Sequence, residues 1–124
     1  MKINECLHSF VIPYHSNREL LYLNLKLLEE TLPSDIKKEI IIVANNKDEK
    51  ELDLDLPESK YTIIKVNDDI LYANAVNMGV DVCNGDIVTL CDEDLFYLPH
   101  WYEPLFEKLN SSGLIGAVSS KLIN

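Results

Sequence analysis

Glycine is scarce in this chain, four residues in 124, and there are five prolines. Collagen-like and low-complexity organisation is thereby excluded. The glycine-rich phosphate loops are missing too. No Gly-x-Gly-x-x-Gly follows the first apolar run and no Gly-Lys-Ser/Thr occurs, which removes the dinucleotide-binding and P-loop readings. A nucleophile elbow of the Gly-x-Ser-x-Gly type is also absent. Basic residues are few: 11 Lys and Arg against 21 Asp and Glu, a formal charge of −10. That balance argues against a nucleic-acid backbone or an anionic membrane surface as the partner. Cysteine is limited to Cys6, Cys83 and Cys91, an odd and widely spaced set that is neither a disulfide framework nor a metal knuckle. Buried free thiols in a reducing compartment are expected. Long hydrophobic runs are missing as well. The longest, Ile40-Ile41-Ile42-Val43-Ala44, falls far short of the roughly 20 residues that span a bilayer. Glu5 and His8 interrupt what would have to be the apolar region of a signal peptide. The expectation is a cytoplasmic protein, with peripheral attachment to a membrane left open.

What remains is 47% hydrophobic residues, enough for one domain that buries about two thirds of its unfolded surface. Short apolar runs alternate with longer periodic stretches. Phe10-Val11-Ile12 predicts a strand stopped by Pro13. Leu21, Leu25, Leu28 and Leu32 share one helix face and predict a helix over 17–32, with Asn17 as its N-cap. A β-branched run predicts a second strand over 39–44, covered on both faces. Residues 47–60 read as a solvent-facing connection with room for a short helical or extended piece. A third strand is predicted over 61–66 and a helix over 72–83, with Val76, Val80 and Cys83 on one side and Asn84-Gly85 as a C-cap turn. A fourth strand over 86–91, a helix over 99–110 with Trp101, Leu105 and Leu109 in line, and a fifth strand over 114–118 complete the series. The fold class that follows is α/β: a doubly wound, mostly parallel, Rossmann-like sheet of order 3-2-1-4-5 with helices on both faces.

In such a sheet the first and fourth strands are neighbours at the switch point, and ligands bind beyond their carboxyl ends. Pro13-Tyr14-His15-Ser16-Asn17 is thus expected beside Asp92-Glu93-Asp94. Three acids after a buried apolar strand repel one another unless a cation or hydrogen-bond donors are present. Mg²⁺ is typically held by one or two carboxylates together with substrate phosphates. The Asp-x-Asp pattern here therefore suits a divalent cation bridging to a diphosphate. A second Asp-x-Asp, at Asp53 and Asp55, sits in a polar connection and is discounted. His8, His15 and His100 form no ligand set; only His15 falls in the switch-point loop.

Five segments in order resemble family 2 glycosyltransferases of the GT-A fold: FVIPYHSN (10–17), EIIIVANN (39–46), YANAVNMGV (72–80), GDIVTLCDED (85–94) and GLIGAVSSK (113–121). The resemblance implies a nucleotide-diphospho-sugar donor, UDP- or GDP-linked, and Mg²⁺ or Mn²⁺. It implies that Pro13 and Tyr14 border the base, with the Tyr14 ring stacking on it or closing over it, and that His15, Asn17 and Glu93 belong to the same pocket. Asn77 would lie near base or ribose. Asp92 would contact ribose or metal, and Asp94 would ligate the metal. Where the family usually carries an Asp after its second strand this chain has Ala44, then Asn45 and Asn46; Asn45 could offer an amide to a pyrimidine edge.

The family's acceptor-binding half and catalytic carboxylate lie beyond the Asp-x-Asp strand, so residues 1–124 are expected to be the donor-binding part, truncated before that half. No general base is assigned. The acceptor (sugar, lipid or protein) and a homo-oligomeric state are left open. The alternative is a non-catalytic nucleotide-binding or interaction module of the same fold. A phosphoacceptor receiver domain shares this length, but it needs an acidic pair after the first strand, where Pro13-Tyr14-His15 stands.

Overall fold

The computed structural model describes residues 1–119. Four strands and three helices follow one another as β1 (Leu7–Tyr14), α1 (Arg18–Thr31), β2 (Lys37–Asn45), β3 (Thr62–Val66), α2 (Tyr72–Val82), β4 (Ile87–Leu90) and α3 (Tyr102–Asn110). The sheet has order β3-β2-β1-β4 and every pairing is parallel. This is the expected α/β, Rossmann-like class.

The two sheet faces follow from alternation along the strands. Phe10, Ile12 and Tyr14 of β1, with Ile40, Ile42 and Ala44 of β2, face α1 and α3 and join Leu21, Leu25, Leu28, Tyr102 and Phe106 in the main core. Val11, Ile41 and Val43 face the other way and pack against Ala75 of α2. Gly79 sets how closely α2 lies on the sheet. A Cβ added there would come within 2.4 Å of a Val11 methyl and 3.2 Å of a Val43 methyl.

Several expectations are corrected. β1 does not stop at Pro13 but runs to Tyr14, with Pro13 in register with Val43. The reason lies in the ladder. The Val11 carbonyl accepts from Cys91 on the β4 side, so the donor that Pro13 lacks also points to that side, where β4 has already ended. Asn84-Gly85 is not a left-handed cap, because no glycine has positive φ. Gly85 is needed for close approach instead. Its N–H donates to Ser9 Oγ at 2.8 Å, and an added Cβ would fall 2.2 Å from that oxygen. Ser9 in turn donates to Glu39 at 2.6 Å.

The 47–60 connection is not wholly solvent-facing. It forms a short 3-10 turn, Glu49–Leu52, and buries Leu52 and Leu54 against the main core. In α2 the buried side is Ala75, Val76 and Gly79, while Val80 is exposed. The third helix begins at Tyr102 rather than at 99, after His100 at φ 62°, and buries Tyr102 and Phe106 rather than the Trp101–Leu105–Leu109 line. No strand forms over 114–118, so the fifth strand is not observed among the described residues. Lys121 and Ser120, at the end of the quoted 113–121 segment, lie outside the described residues. The cysteines are free, with Cys6 and Cys91 buried and Cys83 half-buried. His8 is buried. It bonds the Tyr102 hydroxyl at 2.6 Å and the Ile3 carbonyl at 2.7 Å, and so serves the packing of α3.

Candidate active site

A cleft of about 700 Å³ opens beyond the carboxyl ends of β1, β2 and β4. Its walls come from three loops and two helix starts: residues 13–17 after β1, Asn45 at the end of β2, Ile70 and Tyr72 at the start of α2, Leu20 of α1, and Asp92, Glu93 and Asp94 after β4. The switch-point expectation thus has its geometric counterpart: the two loops named from the sequence face one another.

Local chemistry explains each position. Asn17 caps α1 by accepting from the Leu20 N–H at 3.2 Å. It does so at φ 71°, a left-handed conformation that Asn tolerates better than most residues. His15 is exposed and sits between two acids. Its Nε2 lies 3.0 Å from Asp69, and its backbone N–H donates to Glu93 at 3.2 Å. The His15 bond and the Lys47 N–H hold the Asp69 carboxyl below its ordinary range. Glu93 is therefore turned toward the backbone of the β1 loop, and burial pushes its carboxyl up.

Asn45 is buried and bridges strand ends. Its amide donates to the Tyr14 carbonyl at 3.2 Å and its oxygen accepts from the Ile70 N–H at 3.2 Å. An Asp here could not make the first bond, because a carboxylate has no hydrogen to donate. Asn46 repeats the device one residue on, donating to the His15 carbonyl at 2.7 Å and accepting from Asp48 N–H at 2.9 Å. Pro13 is buried beside the cleft. Tyr14 borders the cleft but is 0% exposed: its ring belongs to the main core, with the hydroxyl 3.4 Å from Glu51. In this arrangement it offers no face for stacking. Asn77 is exposed on α2 and is not part of the cleft wall.

Asp92 and Asp94 are exposed. Asp92 Oδ1 accepts from the Tyr72 hydroxyl at 2.7 Å. Burial and this bond to an anion push the Tyr72 phenol up to about 12. Asp94 makes no hydrogen bond or ion pair among the described residues. No group of three or more His, Cys, Asp or Glu side chains suited to a metal occurs among the described residues. Two exposed carboxylates, Asp94 and the oxygen of Asp92 not bonded to Tyr72, nonetheless fit a divalent cation of the kind that completes its coordination with water and substrate phosphates.

Two positioning residues were not read from the sequence. Asn24 of α1 is buried, and its amide donates at 3.0 Å to the carbonyls of both Asp92 and Leu95. It thereby fixes the turn that carries the acids. A signal existed: Asn24 interrupts the leucine face of α1 three residues after Leu21 and one before Leu25. Tyr72 carried no such mark, because only the packing of α2 brings it to Asp92.

Fold and cleft define a parallel α/β, Rossmann-like protein with paired acids at the switch point. A family model for glycosyl transferase family 2 matches residues 9–122, and the chain belongs to that family. No curated protein matches it.

Proposed function

We propose that this glycosyltransferase chain binds the nucleoside diphosphate of a sugar donor in the switch-point cleft, with Asp92 and Asp94 holding Mg²⁺ or Mn²⁺ against the diphosphate. The observation that carries this reading is the pair of exposed carboxylates, Asp92 and Asp94, on the wall of a cleft formed by the loops after β1 and β4. In the transfer, an acceptor hydroxyl oxygen bonds to the anomeric carbon while the bond from that carbon to the diphosphate breaks. The bound cation would neutralise charge on the departing diphosphate. The chain's own contribution is placement. Asn24 holds the acid-bearing turn, and Asn45, Asn46 and Glu93 hold the β1 loop that faces it. Pro13, His15 and Asn17 line the nucleotide side, and Asn77, off the cleft wall, is left out of the proposed contacts.

Among the described residues the titratable side chains of the cleft wall are Tyr14, His15, Tyr72, Asp92, Glu93 and Asp94. His15 and Glu93 are engaged, and both acids of the pair are assigned to the cation. No residue among the described ones is assigned to take the acceptor's proton, which a transfer must hand to a general base. The second reading is a module of the same fold that binds the nucleotide without transfer. Calorimetry with UDP and GDP tests the shared part. Mn²⁺ is expected to tighten binding, and Asp94→Asn to remove that gain. Equal affinity with and without Mn²⁺ would defeat the metal-bridged reading. Release of sugar from the donor separates the transferase from the module.

A further inference from the structure

Three rings border the cleft: Tyr14, His15 and Tyr72. The Tyr14 ring is enclosed in the core and the His15 ring is bonded to Asp69. Tyr72 differs from both. It is 56% exposed, it opens α2, and it lines the cleft together with Ile70 and Ala75. An exposed tyrosine is ordinarily free to rotate, and fixing it costs side-chain entropy. Here the ring is held at both ends, by its Cα on a helix and by its hydroxyl on Asp92. A hydrogen bond to a carboxylate is among the stronger kinds. The anchor itself is steady, because Asn24 grips the Asp92 and Leu95 carbonyls from the core.

We propose that Tyr72 is the aromatic wall on which the base of the bound nucleotide packs, held ready by its bond to Asp92. This rests on the nucleotide-binding reading above. Every base has a π-face, so such a wall accepts a pyrimidine or a purine. The ring touches no part of the diphosphate, and only its hydroxyl bond to Asp92 couples it to the acids.

The test compares wild type, Tyr72→Phe and Tyr72→Leu by calorimetry, with UDP and with Mn²⁺-pyrophosphate, which has no base. Tyr72→Leu is expected to weaken UDP about tenfold, the scale of one base–aromatic contact, and to weaken pyrophosphate, which feels only the loss of the bond to Asp92, by clearly less. Tyr72→Phe keeps the ring but not the bond, and is expected to lose less than Tyr72→Leu. Unchanged UDP affinity in Tyr72→Leu, or an equal loss for pyrophosphate, overturns the wall. A ligand-free measurement tests the tether by itself. In protein with ¹³C-labelled tyrosine, the Tyr72 ring is expected to be rigid in wild type and mobile in Asp92→Ala, and equal mobility overturns the tether. If wild type binds pyrophosphate but not UDP, the wall fails while the acids remain. If it binds neither, the nucleotide reading fails and takes the wall with it.

Discussion

The two faces of the sheet are built differently. The face toward α1 and α3 is filled by large side chains from every layer: Phe10, Ile12 and Tyr14 from β1, Ile40 and Ile42 from β2, leucines from α1 and aromatics from α3. The face toward α2 is packed by small and β-branched residues, with Gly79 and Ala75 letting the helix lie close over Val11 and Val43. Among the described residues nothing covers that second face beyond α2. Val88 and Leu90 of β4 point to it and are 39% and 51% exposed. Stability is therefore concentrated on one side of the sheet, and close approach of backbone on the other. The cleft lies at the end both faces share, taking Asn24 from the first side and Tyr72 from the second.

That contrast can be broken experimentally. The largest effect is expected for Phe10→Ala on the filled face. Deleting a fully buried ring removes its transfer energy and leaves a cavity, about 3–5 kcal/mol. Urea unfolding checks it, and a loss below about 1 kcal/mol would show that this face is not where stability resides. Gly79→Ala comes next. Alanine gains up to about 1 kcal/mol of helix propensity over glycine, yet its Cβ meets a Val11 methyl at 2.4 Å in a strand packed on both sides. Overpacking of this kind costs about 1–3 kcal/mol, so a net destabilisation is expected, relieved in part by adding Val11→Ala. An additive double variant would remove the close-approach account. The smallest effect is expected for Leu90→Ser, within about 0.5 kcal/mol because the residue is half exposed. A larger loss would mean that the open face is covered in solution.

Much of this was legible beforehand because periodicity reports burial directly. The leucine spacing of α1 and the β-branched run of β2 each became the element expected, and Asn17 became the cap. Pro13 misled because its missing donor matters only if a neighbour waits for it, and β4 ends too soon to be that neighbour. Gly85 misled for a related reason: its lack of a side chain answers a close neighbour, Ser9, not a backbone angle. Helix α3 shifted because the stripe it buries is selected by His8 and Phe10 on the sheet. That choice is not written in the helix itself.

By its own composition and order, the sequence determined the parallel α/β class, the meeting of the β1 and β4 loops, and the family motifs that run along the chain. These depend on local period and on connection rules that hold for any such sheet. Tertiary structure alone decided which polar groups were used up and which stayed open. It enclosed Tyr14, exposed Tyr72, turned Glu93 toward the β1 loop and left Asp94 without a partner among the described residues. Each outcome turns on a distance of about 3 Å between residues far apart in the chain, and no pattern of neighbours in sequence contains that distance.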